Sequence, residues 1–166
     1  RGKIIFDVGA HIGFSTLTFA QCVGTTGQVI AFEPNAENFT RLKLNLGHNP
    51  ELSLRTQVYP YALAAKNGKE TFVFSRNIED GSSSGSFLQS AHTHLQKSVY
   101  EADFGFVRRV VITKTLDSFT HSKKIVPDII KIDVEGAEAS VLEGARACIR
   151  NHHPTLYIEL HSVYAS

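Results

Sequence analysis

The sequence lacks long hydrophobic runs, a strong net charge and a cysteine-rich pattern, and each absence excludes a class of protein. None of its apolar stretches approaches the roughly 20 residues that span a bilayer, so we expect no membrane segment. Its 17 basic and 16 acidic residues give a formal charge of +1, which offers no general attraction to nucleic acid or to a membrane surface. The two cysteines, Cys22 and Cys148, suggest free thiols in a reducing, cytoplasmic compartment.

We see no signal peptide at the start of the given sequence. The first residue is Arg1, which is not a usual native start, and the first apolar run begins almost at once. We therefore expect a segment clipped from a longer protein, with no signal peptide in view and any targeting signal lost. With 166 residues, 42% of them hydrophobic, the chain suits one compact domain over residues 1–166.

Short apolar runs alternate with amphipathic segments through the first third of the chain. Residues 3–8 and 28–32 are continuous apolar stretches, typical of strands that are buried on both faces. Residues 12–23 and 36–46 place apolar side chains at helical spacing, and Asn35 is a suitable N-cap for the second of these helices. Strand, helix, strand and helix with short joints predict an α/β fold with a mostly parallel, doubly wound sheet.

The rest of the chain continues this pattern around one irregular insertion. Residues 54–64 contain a third strand, and Asn67-Gly68 between two β-type runs predicts a tight, inserted hairpin. The Ser/Gly-rich residues 80–86 read as a loop, and residues 87–105 as a short irregular helix. The remaining segments are expected to be a strand over 107–119, a strand over 127–136, a helix over 137–149 and a last strand over 154–161.

Acids and one histidine stand where the predicted strands end. Asp7, Glu33, Asp133 and the pair Glu159/His161 each fall at a predicted carboxyl end. In a doubly wound sheet these ends share one edge, and ligands bind there, where the crossover direction reverses. Their coincidence is the strongest functional signal in the sequence.

The glycine turn after the first strand suits a nucleoside with a single anionic group. Gly9 and Gly13 allow backbone to approach a ligand, and no side-chain cap precedes the helix, so its first N–H groups could face a carboxylate. Glu33, 20 positions after Gly13, could accept both hydroxyls of a ribose. The dinucleotide fingerprint G-x-G-x-x-G is broken by His11 and Phe14. Asp7, at the end of the first strand, would repel phosphate groups and attract a sulfonium, which favours S-adenosylmethionine as the ligand.

These residues resemble the FkbM-type S-adenosylmethionine-dependent methyltransferases. The similarity rests, in order, on DVGAHIGFST, VIAFEPNAENF, TLDSF, IIKIDVEGAEASVLEGA and YIELH, and so covers nearly the whole chain. KIDVEGAE followed by IELH is the most specific part. The resemblance implies a Rossmann-like class I methyltransferase core that lacks the usual last two strands. It also implies O-methylation of a hydroxyl on a sugar, glycolipid or polyketide-like acceptor.

The resemblance further implies a set of cofactor contacts. The implied residues are Asp7, Gly9, Ala10, His11 and Gly13 in the first turn, Glu33 at the ribose with Pro34 and Asn35 beside it, Tyr61 and Ala62 near the adenine, and Asp133 at the methionine end.

Methyl transfer to an alcohol needs collinear reacting atoms and a group that removes the hydroxyl proton. His161 is the first candidate for this base, because neutral imidazole is available near pH 7. Asp133 and Glu135 are the second candidates. Helix-dipole and strand-end capping roles remain alternatives for these side chains.

Three other functions stay open. Asp133, Glu135, Glu159 and His161 could hold a divalent cation, although two-residue spacing defines no full ligand set, and no metal is expected. A nicotinamide-dependent oxidoreductase could bind NAD(P) at the same edge, and a non-catalytic Rossmann-like fragment could retain only the fold. Nucleic acid is not expected as the acceptor, because residues 133–136 lack the Asn/Asp-Pro-Pro-aromatic turn of base methyltransferases. The sequence does not indicate an oligomeric state.

Overall fold

Two sheets and a set of short helices make up the fold. The computed structural model describes residues 1–75, 86–92 and 106–161. The strands are β1 (Ile4–Val8), β2 (Gln28–Phe32), β3 (Thr56–Tyr59), β4 (Tyr61–Leu63), β5 (Gly68–Ser75), β6 (Phe87–Leu88), β7 (Phe106–Lys114), β8 (Ile129–Ile132) and β9 (Thr155–Ile158). The helices are α1 (Phe14–Val23), α2 (Ala36–Gly47), α3 (Pro50–Ser53), α4 (Leu116–Lys123), α5 (Glu138–Glu143) and α6 (Arg146–His152), with a 3-10 turn at Gln89–His92.

The larger sheet has five parallel strands in the order β3-β2-β1-β8-β9. The chain runs outward from β1 to β3 and later returns on the other side of β1 as β8 and β9. The crossover direction therefore reverses between β1 and β8, which opens a crevice at their carboxyl ends. The central strands are buried on both faces. Within the sheet, Phe6 of β1 lies between its pairing partners Ile30 of β2 and Ile130 of β8. The predicted α/β fold with a mostly parallel, Rossmann-like sheet is confirmed.

The predicted hairpin at Asn67-Gly68 is wrong, because the strands on either side of it are not neighbours in the smaller sheet. Its order is β4-β7-β5-β6, so β7 lies between the two strands that flank Asn67-Gly68. Strand β7 pairs parallel with β4 and antiparallel with β5. The Asn67 side chain instead accepts hydrogen bonds from Thr115 N and Ser118 Oγ, both at 2.8 Å. The local turn signal was overridden by long-range pairing with a strand that comes almost 40 positions later in the chain.

Three other predicted boundaries also differ from the structure. The third strand is divided at Pro60, which has no N–H to donate to a ladder, and its two halves join different sheets. The strand predicted over 107–119 ends at Lys114, because Thr115 caps helix α4 by accepting a hydrogen bond from Ser118 N. The helix predicted over 137–149 is two helices, and Asp117 caps the second by accepting from the backbone of residues 147 and 148.

Other local predictions hold. Asn35 caps α2 by accepting hydrogen bonds from Glu37 N at 2.9 Å and Asn38 N at 3.3 Å. Both cysteines are free, with Cys22 exposed and Cys148 buried. None of the helices within the described ranges is long and apolar enough to cross a membrane. The loop predicted over 80–86 and the irregular helix predicted over 87–105 lie mostly outside the described residues; the described part is β6 and the 3-10 turn.

The core of the larger sheet contains a cluster of aromatic rings. Phe32 and Phe6 make edge-to-face contacts with Phe119 of α4, with ring centroids 4.8 and 5.8 Å apart. Tyr59 joins the same group at 4.9 Å from Phe119. Such close-packed rings hold the strand ends rigidly in place, so the side chains that follow them have fixed positions.

Candidate functional site

A cavity of about 280 Å³ opens at the carboxyl ends of β1, β2 and β8. This is the edge at which the sequence predicts a ligand site. The cavity is lined by nine of the predicted site residues: Gly9, Ala10, His11, Glu33, Pro34, Tyr61, Ala62, Asp133 and Glu135. Four others contribute no lining: Asp7, Gly13, Asn35 and His161. The structure thus brings most of the predicted residues together.

The first turn requires glycine for close backbone approach. Gly9 has a φ of 80°, and a Cβ there would lie 1.8 Å from the carbonyl oxygen of Asp133. Gly13 has a φ of 97° and forms the N-cap of α1, which receives no side-chain hydrogen bond. Phe14 and Ser15, at the start of that helix, line the cavity. The amino end of α1, with its positive end of the helix dipole, therefore faces the cavity.

Glu33 is a buried carboxylate that joins two turns. Its side chain accepts hydrogen bonds from His11 N at 2.8 Å and from Asn35 N at 2.9 Å, one on each oxygen. Burial raises the pKa of Glu33 to about 7, although hydrogen bonds from Asn35, His11 and Asn38 oppose the shift. A carboxylate has about four acceptor positions, so these three hydrogen bonds leave about one position for a hydroxyl donor from a ligand in the cavity.

Asp7 is fully buried below the cavity instead of forming part of its wall. Its Oδ2 accepts a hydrogen bond from Thr16 Oγ1 at 2.6 Å, and its Oδ1 lies 3.3 Å from Lys131 Nζ. Burial raises the pKa of Asp7, and the nearby Lys131 ammonium opposes that shift. In this position Asp7 acts on the cavity through Lys131, whereas the sequence suggests a direct ligand contact.

Lys131 is a site residue that sequence reasoning missed. It lies in the middle of β8, its side chain is only 7% exposed, and it lines the cavity. Its ammonium donates to the Gly9 carbonyl at 3.0 Å and lies 3.2 Å from Asp133 Oδ2. The sequence did contain a signal for this residue, because a lysine within an otherwise apolar, buried strand requires an oppositely charged or hydrogen-bonding partner.

The part of the wall contributed by β5 and β6 was also missed. Phe72 of β5, Leu88 of β6 and the nearby Ser86 line the cavity. Their own segments carry no local sign of this, because β5 and β6 reach the site only through the pairing of the second sheet. Asn38, one turn into α2, also lines the cavity.

His161 is surrounded by carboxylates. Its Nδ1 lies 3.0 Å from Oε1 of the buried Glu138, while its Nε2 lies 3.6 Å from Glu135 Oε2, 3.8 Å from Asp133 Oδ1 and 3.9 Å from Glu159 Oε1. Partial burial lowers its pKa, but the Glu138 hydrogen bond and the surrounding negative charges outweigh this, and the net pKa is raised. Neutral imidazole near pH 7 is therefore less available than the sequence suggests.

Asp133, Glu159 and His161 also satisfy the spacing of a metal site. Within the described ranges, one ligand atom from each of them lies within 4.8 Å of the others. Oxygen and imidazole ligands suit several divalent cations, but a protonated His161 would balance the same carboxylates. The structure is compatible with either arrangement.

Comparison with known proteins agrees with the geometry. The family model for the methyltransferase FkbM domain matches residues 7–166. The chain is 28% identical over 160 residues to the hexuronic acid methyltransferase AglP of Haloferax volcanii, an alignment that covers 96% of this chain and 56% of that protein. The crystal structure of methyltransferase FkbM from Methylobacillus flagellatus KT superimposes with a TM-score of 0.63 at 21% identity, over 94% of this chain and 32% of that one.

This chain therefore spans about half the length of the relative and about a third of the solved structure. The structural likeness supports the fold, and the family model covers nearly the whole sequence, including every residue that lines the cavity. The glycine turn, the strand-end acids and this match agree with one another: the chain belongs to the FkbM methyltransferase family.

Proposed function

We propose that the chain forms the cofactor-binding core of an S-adenosylmethionine-dependent O-methyltransferase. The observation that carries the proposal is Glu33, a buried carboxylate that lines a cavity at the sheet's switch point and has acceptor capacity left for a ligand hydroxyl. A carboxylate held in this way beside a glycine turn suits the ribose of a nucleoside. Membership of a methyltransferase family selects the adenosyl cofactor among nucleosides.

The residues around the cavity fit each part of that cofactor. Tyr61, Phe72 and Leu88 offer an apolar and aromatic wall for the adenine. The amino end of α1, which no side chain caps, suits the methionine carboxylate. Asp133, which also lines the cavity, supplies a negative charge that would stabilise a sulfonium. When bound, S-adenosylmethionine supplies an electrophilic methyl group on its sulfur.

We assign acceptor activation to the carboxylates at the end of β8. Asp133 and Glu135 line the cavity, and their side chains are 31% and 41% exposed, so an acceptor hydroxyl could reach them. Either carboxylate could accept the hydroxyl proton as the oxygen attacks. His161 lies beside both and does not line the cavity, which favours a role in holding the two carboxylates or in receiving the proton afterwards.

The acceptor is proposed to be a small carbohydrate-like molecule. The sugar acid in the name of the Haloferax volcanii relative supports this class. The formal charge of +1 and the absence of an Asn/Asp-Pro-Pro-aromatic turn at residues 133–136 argue against nucleic acid.

Calorimetry with S-adenosylhomocysteine and with NAD, each titrated separately into the protein, tests the cofactor. We expect binding of the first alone; binding of NAD alone would overturn the proposal. Transfer of a labelled methyl group is then measured on neutral sugars and hexuronic acids, with the products treated with mild base. A base-stable methyl ether supports hydroxyl methylation, whereas a base-labile ester would move the reaction to the carboxyl oxygen. Cofactor binding without any transfer would favour a non-catalytic fragment.

A further inference from the structure

Lys131 connects the two strand ends that form the floor of the cavity. An ammonium has three N–H donors and no acceptor, and this one has three oxygens around it. They are the Gly9 carbonyl at 3.0 Å, Asp133 Oδ2 at 3.2 Å and Asp7 Oδ1 at 3.3 Å. With a side chain only 7% exposed, Lys131 has little water available as an alternative partner.

The contact with Asp133 determines which way that carboxylate faces. Its Oδ2 is held by Lys131, and its Oδ1 lies on the side of His161, 3.8 Å from Nε2. Without Lys131, a carboxylate that is 31% exposed could rotate toward water or toward the imidazole. The same ammonium holds the Gly9 carbonyl, so that the first turn and the end of β8 keep a constant separation.

The ammonium also affects the charge at the cavity floor. Burial raises the pKa of Asp7, whereas its contacts with Lys131 and Thr16 oppose that shift. Lys131 lies between this buried carboxyl group and Asp133, so its positive charge acts on both. Asp133 and Glu135 line the cavity and supply the carboxylates that a sulfonium would meet.

We propose that Lys131 is a positioning residue that holds the Asp133 carboxylate against the sulfonium end of the cofactor. This inference rests on the proposed function. It predicts that the protein binds S-adenosylmethionine, which is cationic at sulfur, more tightly than the neutral thioether S-adenosylhomocysteine. It also predicts that this preference depends on the orientation set by Lys131 as well as on the charge of Asp133.

The test is the ratio of the two affinities, measured by calorimetry on the intact protein without an acceptor. The charge-balanced variant Asp7→Asn with Lys131→Met removes one negative and one positive charge, so a purely electrostatic role predicts an unchanged ratio. Positioning predicts that the preference for S-adenosylmethionine falls about fivefold or more, the factor expected for losing a unit-charge contact at about 4 Å in water. An unchanged or increased ratio would overturn the proposal.

The matched control is Lys3→Met with Asp128→Asn, the exposed pair at the opposite end of the same sheet, where Lys3 Nζ lies 2.6 Å from Asp128 Oδ1. This control variant should keep the wild-type preference for S-adenosylmethionine over S-adenosylhomocysteine. Asp133→Asn should lower that preference. Adding the Lys131 and Asp7 substitutions to Asp133→Asn should lower it no further. A further fall in that background would mean that Lys131 does not act through Asp133.

Lys131→Arg provides a second route if the double variant fails to fold, which circular dichroism would show. Arginine keeps the charge, but its planar fork cannot donate to three oxygens arranged around one nitrogen, so the ratio should fall here too. A retained ratio in Lys131→Arg would overturn the positioning role. If the unaltered protein binds neither ligand, the proposed function fails as well; if it binds both equally, only the role of Lys131 and Asp133 fails.

Discussion

The raised pKa of Glu33 predicts a pH-dependent cofactor affinity. Burial raises this pKa to about 7, so the free protein holds the carboxyl largely protonated at pH 6 and largely ionised at pH 8. The ionised form can accept a ribose hydroxyl in addition to its hydrogen bonds from His11 N, Asn35 N and the Asn38 side chain. The protonated form must direct its own hydrogen toward one of those positions. Binding should therefore favour the ionised form and release a proton below about pH 7.

The expected magnitude follows from that pKa. If only the ionised form binds, affinity for S-adenosylhomocysteine should fall about tenfold between pH 8 and pH 6, a change of about 1.4 kcal/mol. Calorimetry at several pH values, repeated in buffers with different ionisation enthalpies, measures both the affinity and the protons released.

Glu33→Gln is the control for this pH dependence. The amide keeps the size of the side chain, but its nitrogen cannot accept a backbone N–H, so binding should weaken by about 1–3 kcal/mol at pH 8. Its remaining affinity should be nearly constant with pH. A pH dependence that persists in Glu33→Gln, or a flat profile in the unaltered protein, would refute the assignment of the ribose to Glu33.

Three further predictions concern the frame that surrounds the site. Gly9→Ala places a Cβ against backbone at a residue with positive φ, so it should lower the free energy of unfolding, measured in urea, by at least about 2 kcal/mol. Its control is Gly47→Ala in α2, where the Cβ enters open space and stability should be unchanged or slightly increased. Asn67→Ala removes an acceptor for two donors at the start of α4 and should cost about 1 kcal/mol; an unchanged urea midpoint would contradict this. Because the folded-state pKa of His161 is raised, its contribution to stability should be complete below about pH 6.5 and lost as pH rises through that higher value. Glu138→Gln should lower the His161 pKa in an NMR titration, and an unaltered pKa would show that Glu138 does not stabilise the imidazolium.

The part of the site built from one continuous segment was predictable from the sequence. The apolar run that becomes β1, the glycines after it and the start of α1 are neighbours in the chain, and their spacing alone indicates a strand, a ligand turn and a helix. The same holds for Asn35, whose side chain caps the helix that begins at the next residue. Glu33 was predictable because its distance from the turn is itself a sequence pattern.

The rest depended on contacts between residues far apart in the chain. The signal at Asn67-Gly68 indicates a hairpin, but β7 gains eight paired positions by entering between β4 and β5. That pairing brings Phe72 and Leu88 to the cavity, and no periodicity within their own short strands could indicate it.

What the sequence by itself determined is the α/β class, the edge of the sheet where the cavity lies, and the chemical types gathered there, since these follow from local periodicity and from the rule that parallel strands end together. Only the tertiary structure determined how deeply each charged group is buried and which groups it contacts. It buried Asp7 under Lys131, turned Asp133 toward the cavity and enclosed His161 among carboxylates. The physical reason is that a charge acts through distance and burial, and both are set by side chains of different strands and turns, such as Asp7 and Lys131, that meet only when the sheet has formed.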